Sequence, residues 1–410
     1  MRDGLTPAAR PEDADVVVVN TCAFIDVARE ESIDTVLHLS EIRRPDAKLV
    51  VTGCMAERYG DELATALPEV DQVAGFGVPV AFGRKPVASG AQLVASGAQL
   101  VASGAHSMSM PEPELPRLDL LNLPRPPSSS PWAYVKVAEG CDRKCGFCAI
   151  PSFRGPQRSR TEESILQEVD ELKAQEIVLI AQDLASYGND DNRRGAIVNL
   201  VREVAKRAAR ARLLYLYPSD LSDELINVIC ETGVPYFDLS LQHVSKPLLR
   251  RMRRWGDSDR FLRRIEDIRK LEPQAAFRSN FIVGYPGETE EDHDLLLRFV
   301  EEAQVEWCSF FAYSPEDGTY AMGLDGDVPI GLRDERLREL REMQDQITAT
   351  KRAQLIGENV EVLIDAPGVG RSHREAPEID GVIEVPMDLA VGEFHKVEIT
   401  GAAGPDLEAK

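Results

Sequence analysis

Four consecutive valines at residues 16–19 are too few for a buried helix and too uniformly apolar for a half-exposed strand, so they predict a parallel strand covered on both faces. The period then changes. Ile25, Ala28, Ile33, Val36 and Leu37 recur at helical spacing within residues 24–39, and a second apolar run at 48–51 completes a strand, helix, strand unit. The usual right-handed crossover makes the two strands parallel neighbours. Asn20-Thr21-Cys22 and Thr52-Gly53-Cys54 therefore fall at adjacent carboxyl ends, the edge where open α/β sheets bind their ligands. Each cysteine alone reads as an ordinary buried thiol; the two at equivalent strand ends also read as a pair able to share a metal.

From Trp132 to about Pro329 the alternation repeats. Strands are predicted at 133–137, 176–181, 213–217, 237–241, 279–283 and 308–312, with helices at 161–174, 196–209, 220–232, 258–270 and 288–303. That cadence predicts a partial (β/α)6 barrel with its site at the carboxyl ends of the strands. Residues 331–355 are charged and helical, and short alternating strands at 360–364, 381–385 and 395–399 predict a small β-barrel. Between these blocks, residues 87–105 repeat Val-Ala-Ser-Gly-Ala-Gln-Leu twice and begin it again. The unit is too short for a solenoid, whose period is about 20 residues or more. A short helix is the alternative, but Ser-Gly in every copy argues against it, so this segment and the Pro- and Ser-rich stretch after it predict a linker. The fold class is α/β, in four parts: an N-terminal α/β domain over 1–84, the linker over 85–130, the barrel over 131–345 and the β-barrel over 346–410.

Composition narrows the setting. The 410 residues suffice for two or three domains with cores of their own. They carry 47 Lys and Arg against 69 Asp and Glu, a formal charge of −22. Such acidity repels phosphate backbones, because nucleic-acid affinity draws on Lys and Arg. A basic partner suits it better, although acidity also serves solubility alone. No apolar run approaches the roughly 20 residues of a membrane span, and the N-terminus lacks the basic-then-apolar pattern of a signal peptide. A cytoplasmic monomer without membrane contact or strong nucleic-acid binding is expected. Seven cysteines do not read as a disulfide framework; they read as ligands in a reducing compartment.

The densest chemistry follows the first barrel strand. Glu139-Gly140-Cys141-Asp142-Arg143-Lys144-Cys145-Gly146-Phe147-Cys148 sets three thiols in one tight loop, which asks for a metal. Three ligands are one short of a closed structural zinc site, and soft thiolates suit iron–sulfur clusters as well as zinc. Spacing alone leaves both open: a cluster with one iron free for a substrate, or zinc completed by a distant His or Cys. Cys-x3-Cys-x2-Cys with Phe147 before the last cysteine is similar to the radical S-adenosylmethionine signature, and Ile150-Pro151-Ser152-Phe153-Arg154-Gly155 extends the likeness to the methylthiotransferases. The chain resembles the RimO type, which modifies a ribosomal protein, more closely than the MiaB type, which modifies transfer RNA. The strand-end segments at Cys22 and Cys54, the latter continuing Met55-Ala56-Glu57-Arg58, resemble the N-terminal domain of that family, and Gly370-Arg371-Ser372 with Ala376-Pro377-Glu378-Ile379-Asp380-Gly381 resembles its closing TRAM domain.

The resemblance implies the following. A 4Fe-4S cluster on Cys141, Cys145 and Cys148 passes one electron to S-adenosyl-L-methionine, and the resulting 5′-deoxyadenosyl radical takes hydrogen from the β-carbon of an aspartate in ribosomal small-subunit protein 12. A second, auxiliary 4Fe-4S cluster supplies sulfur. The family holds it with three cysteines, of which Cys22 and Cys54 are present, so the chain reads as lacking an N-terminal segment through a mis-assigned start codon or truncation. The missing ligand leaves room for a form that cleaves S-adenosylmethionine or binds the substrate without completing sulfur insertion. Phe147, Gln182, Ser219, Gln242 and Gly284, at or beside strand ends, are implied cofactor contacts. An electron donor and a sulfur source are also implied and have no signature here. Transfer RNA is the alternative substrate. Residues 351–410 hold six basic against twelve acidic side chains, which favours a basic protein instead.

Other candidates have structural readings. His243 reads as a hydrogen-bonded structural histidine, Glu288 as part of an acidic helix start, Cys230 and Cys308 as core, and Arg250, Arg251, Arg253 and Arg254 as the solvated face of a helix rather than an anion site.

Overall fold

The valine run becomes β1 (Val16–Thr21), parallel as expected but exposed on one face at Val18 and Asn20 rather than covered on both, followed by α1 (Asp26–Ile42), β2 (Lys48–Gly53), α2 (Cys54–Ala66) and β3 (Gln72–Ala74). The computed structural model describes residues 8–23, 25–76, 78 and 127–410, in two units, Met1–Leu120 and Leu121–Lys410. The heptad repeat and most of the linker predicted over 85–130 lie outside the described residues. In the first unit the three strands are parallel in the order β1-β2-β3. Val17, Val19, Val36, Leu49, Val51 and Met55 form its core.

The second unit runs β4 (Trp132–Lys136), β5 (Ala138–Glu139), α3 (Ile150–Arg154), β6 (Arg158–Ser159), α4 (Glu162–Leu172), β7 (Glu176–Ile180), α5 (Ala196–Ala205), β8 (Arg210–Leu213), α6 (Asp223–Glu231), β9 (Tyr236–Gln242), α7 (Lys246–Arg251), α8 (Ser258–Leu271), β10 (Ala276–Val283), α9 (Glu290–Ala303) and β11 (Trp307–Ala312). Parallel sheets β4-β7-β8 and β9-β10-β11 meet where Leu216 donates to Asp238 O and accepts from Ser240 N, each at 2.9 Å. The expected partial (β/α)6 barrel is thus present. Its third strand lies earlier than the pattern predicted. Arg210 and Arg212 break the apolar run yet are buried in β8, and the chain bends at Tyr215, a non-glycine residue with φ +63°.

Aromatic side chains tie β9, β10 and β11 to one another, Phe237 stacking on Phe277 and Phe281 on Phe310 with centroids 5.5 and 5.7 Å apart, and Phe281 meets Phe299 of α9 edge-on at 6.0 Å. Helix α10 (Ile330–Ala353) packs on β11 and leads into β12 (Asn359–Ala366), β13 (Val369–Arg371), β14 (Ile383–Glu384), β15 (Phe394–Ala403) and β16 (Asp406–Ala409). These five strands close a small barrel in the order β12-β13-β14-β16-β15. The junction expected at 345/346 falls inside α10.

The loop after β13 plugs the inner face of the large sheet. Ala376 is fully buried among Val178, Leu214, Tyr236, Ala276 and Trp307. Trp307 Nε1 donates to Arg374 O at 2.7 Å, Tyr134 Oη to Pro377 O at 3.1 Å and Tyr236 Oη to Asp380 Oδ2 at 2.6 Å. Beneath the plug, Glu176 has no solvent exposure and receives Arg212 at 2.6 Å and Arg371 at 3.2 Å. Burial raises the Glu176 pKa, but the guanidiniums of Arg212, Arg371 and Arg210 together outweigh it and hold the carboxyl below its ordinary value.

Breaking a buried pair strands the remaining charges. Glu176→Gln should lower the urea unfolding free energy by about 3–5 kcal/mol. Asp267→Asn, in the exposed Asp267–Lys270 pair, should change it by under about 1 kcal/mol. Equal effects would show that the Glu176 cluster does not hold the two barrels together.

Candidate functional site

The cysteine loop is built as a closed excursion from the end of β4. Antiparallel pairing of β5 with β6 joins Ala138 to Ser159 and Glu139 to Arg158, so residues 140–157 start and finish side by side. Gly140, at φ +82°, lies against the carbonyls of Gly155 and Pro156, where a Cβ would collide with backbone. Its N–H donates to Gln182 Oε1 at 2.8 Å, and Cys141 N–H donates to Gly155 O at 3.1 Å. Further along, Gly146 is pinned on both sides: its N–H donates to Met252 O and its carbonyl accepts from Ala321 N, each at 2.8 Å. A Cβ on Gly146 would lie 2.7 Å from Tyr285 Oη. The backbone carrying the three thiols is therefore fixed by three separate segments of the barrel mouth.

Arg143, in the middle of the loop, reaches across two neighbouring strand ends. Its Nε donates to Asp183 Oδ2 at 2.6 Å, Nη2 donates to Ser186 Oγ at 3.1 Å and to Asp220, and the guanidinium lies 3.8 Å from the Tyr217 ring centroid. Asp183 follows β7 and Asp220 follows β8, so one cation ties the loop to both. Burial pushes the Cys141 thiol up to about 11 and Cys148 up to about 12. Both are protonated at neutral pH, so taking up a metal centre expels protons.

Among the described residues no three His, Cys, Asp or Glu side chains are already gathered into a metal-ligand set. The loop nonetheless supplies the right donors for one. It brings three free thiols to one strand-end mouth and places Cys141 and Cys145 near enough to raise the Cys148 pKa by charge repulsion. Three soft ligands leave one position of an iron–sulfur cluster or zinc ion for a substrate group.

The other predicted contacts divide. Gln182 touches the loop directly. Ser219 is exposed, and its Oγ donates to Asp220 Oδ1 at 2.9 Å, one step from Arg143. Phe147 is half-buried against the main core. Gln242 ends β9 in the left-handed region at φ +71°, a strained conformation that marks it for attention. Gly284 follows β10; its N–H donates to Glu288 Oε2 at 2.6 Å and its Cα faces the Arg333 side chain of α10. Glu288 is buried against Arg336 at 3.0 Å and precedes the Thr289 cap of α9 rather than lying in the helix. His243 is fully buried, and its Nδ1 accepts from Ser245 N–H at 3.1 Å, which is the structural role expected. Cys230 and Cys308 pack on the core. In the first unit Thr21 pairs with Gly53, so exposed Cys22 and half-buried Cys54 occupy adjacent strand ends, as predicted.

The arginine cluster departs from expectation. Helix α7 ends at Arg251, Met252 is fully buried, and Arg253 turns the chain at φ +55°. Arg250 stays exposed, but Arg251 Nε donates to Pro286 O at 2.8 Å, Arg253 covers the Tyr320 ring at 3.6 Å, and Arg254 Nη1 donates to Cys145 Sγ at 3.3 Å. At about 100° per residue the four positions fall within one half of a helix, so their spacing gives no sign that α7 stops at Arg251 and sends Arg253 and Arg254 elsewhere.

Family models match three stretches of the chain: the Radical SAM superfamily over residues 135–300, Uncharacterized protein family UPF0004 over residues 1–75 and the TRAM domain over residues 356–410. A Moorella thermoacetica relative named ribosomal protein uS12 methylthiotransferase RimO is 41% identical over 97% of this chain and 91% of its own length. Relatives of the same name from Kineococcus radiotolerans and Aquifex aeolicus are 37% and 39% identical, each over 99% of this chain and over 91% and 90% of their own lengths.

Two outcomes test this geometry. Gly140→Ala should lower the unfolding free energy by more than about 1 kcal/mol and speed alkylation of Cys141; unchanged alkylation would mean that the turn does not hold the loop. Burial lowers the His243 pKa from 6.5 to about 4. The unfolded chain therefore binds the extra proton between those values, so this contribution to stability is full above pH 6.5 and is lost as pH falls toward 4. His243→Asn should flatten the pH dependence of urea unfolding over that interval by up to about 3 kcal/mol, and an unaltered slope would refute the assignment.

Proposed function

The chain belongs to the radical S-adenosylmethionine methylthiotransferases of the RimO type, and on that footing we propose that it adds a methylthio group to the β-carbon of an aspartate in ribosomal small-subunit protein 12. One observation carries the reading: a three-cysteine loop at the carboxyl mouth of a six-stranded parallel sheet, in a chain whose near-full-length relatives are named for this reaction. Cys141, Cys145 and Cys148 would hold a 4Fe-4S cluster, which with S-adenosylmethionine supplies the one-electron chemistry needed to take hydrogen from an unactivated carbon.

The protein's own groups do the positioning. Arg143 fixes the loop between Asp183 and Asp220, and Gln182 braces its first glycine. Phe147, Ser219, Gln242 and Gly284 would line the cofactor, with the two left-handed strand ends, Gln242 and Gly284, offering backbone groups at close range. The plug around Ala376 seals the opposite end of the sheet and keeps water from entering there. Cys22 and Cys54 would contribute two ligands to an auxiliary 4Fe-4S cluster for sulfur delivery. No helix among the described residues is long and apolar enough to cross a membrane. A cytoplasmic monomer that takes a basic protein rather than RNA is consistent with the −22 charge.

The test is anaerobic reconstitution followed by turnover with S-adenosylmethionine, a low-potential reductant and ribosomal protein 12. Replacing Cys141, Cys145 and Cys148 together by Ala should remove about four irons and all 5′-deoxyadenosine formation, while the unsubstituted chain adds methylthio groups to the protein. Modification of transfer RNA instead, or a colourless chain with stoichiometric zinc, would overturn the reading.

A further inference from the structure

Two guanidiniums flank the cysteine loop, and they differ in what balances their charge. Arg143 is neutralised by Asp183 and Asp220. Arg254 is half-buried beside the loop, and among the described residues no carboxylate pairs with it. Its Nη1 donates to Cys145 Sγ at 3.3 Å, its Nη2 donates to Ser240 O, and its plane lies 4.2 Å from the Tyr217 ring centroid. The buried Nε has no hydrogen-bond partner among the described residues. Backbone geometry holds this arrangement: Arg254 N–H donates to Leu249 O at 2.7 Å, and Met252 O receives Gly146 N–H at 2.8 Å. The segment that carries the cation is thus bonded to the segment that carries Cys145 and Cys148.

We propose that Arg254 raises the reduction potential of the iron–sulfur centre on Cys141, Cys145 and Cys148 by donating a charged hydrogen bond to the Cys145 sulfur. The inference rests on the cluster assignment made above. Reduction adds one electron from an external one-electron donor; no bond forms or breaks and no proton moves. The centre gains a unit of negative charge, part of which falls on the ligand sulfurs. A fixed cation and an N–H donor at one of those sulfurs stabilise the reduced form more than the oxidised form. Partial burial strengthens the effect, since solvent screens the charge less than it would on the surface. The same cation also acts through space on Cys148, so its influence covers two of the three ligands.

The test uses the full chain with Cys22→Ser and Cys54→Ser, so that only the loop centre is loaded, and follows its reduction by electron paramagnetic resonance at controlled potentials. This background must first bind about four irons; if it binds none, the cluster assignment itself fails, independently of Arg254. Arg254→Met should retain the iron and reduce the ratio of reduced to oxidised centre at the original midpoint about tenfold, a shift of 59 mV for one electron. Arg254→Lys, which keeps the charge but moves the donor, should shift the ratio in the same direction by less. A loaded variant of either kind with an unchanged midpoint overturns the proposal. Loss of iron from both variants also overturns it, because Arg254 would then only brace the loop.

Discussion

A carboxylate without access to water holds this architecture in register. Six parallel strands that do not close leave an inner face and a base to be covered, and both are covered by the C-terminal barrel. Glu176, at the start of β7, is the common partner of Arg212 from the next strand and Arg371 from that barrel. Arg210 adds hydrogen bonds to Arg371 O at 3.0 Å and Glu361 O at 3.1 Å. Apolar contact alone would let the small barrel slide over the sheet edge. Directional bonds among buried charges permit one docking, since any other leaves a charge unpaired at a cost of several kcal/mol.

Sealing the base determines where chemistry can occur. The loop around Ala376 occupies the lower inner face, which leaves the carboxyl ends of the strands as the end it does not fill. The site features of this unit lie at that end: the cysteine loop after β4, Asp183 after β7, Asp220 after β8 and Gln242 closing β9. The bend at Tyr215 and the positive φ of Gln242 fall at consecutive strand ends there, and strain of this kind persists only where packing enforces it.

Periodicity revealed the strand and helix order because β7 and β9 are buried on both faces and the longer helices bury one face. It failed at β8, where Arg210 and Arg212 are as inaccessible as the apolar residues around them but break the hydrophobic run. Their burial depends on Glu176, 36 residues from Arg212, and on Arg371, itself 195 residues from Glu176, a pairing that no local pattern records. The site divides in the same way. Three cysteines in eight residues announce themselves, and strand-end logic brings in Gln182. The balance of Arg143 by two carboxylates, and the turn that swings Arg254 onto Cys145, depend on which strand ends become neighbours, and sequence spacing does not encode that.

Preorganisation explains why so much polar structure surrounds one loop. A free loop of this length would lose about 1–2 kcal/mol of backbone entropy per residue on wrapping a metal centre. Here the anchors at Gly140, Cys141 and Gly146 take that loss at folding, where it is offset by the packing of the whole unit. What remains for the site is to bring in three side chains and remove their protons. Burial opposes the second step at Cys141 and Cys148, whereas the unbalanced cation at Arg254 favours negative charge on the sulfurs. The loop is therefore rigid in its backbone and electrostatically biased toward an anionic centre, two properties that come from different residues and can be altered separately.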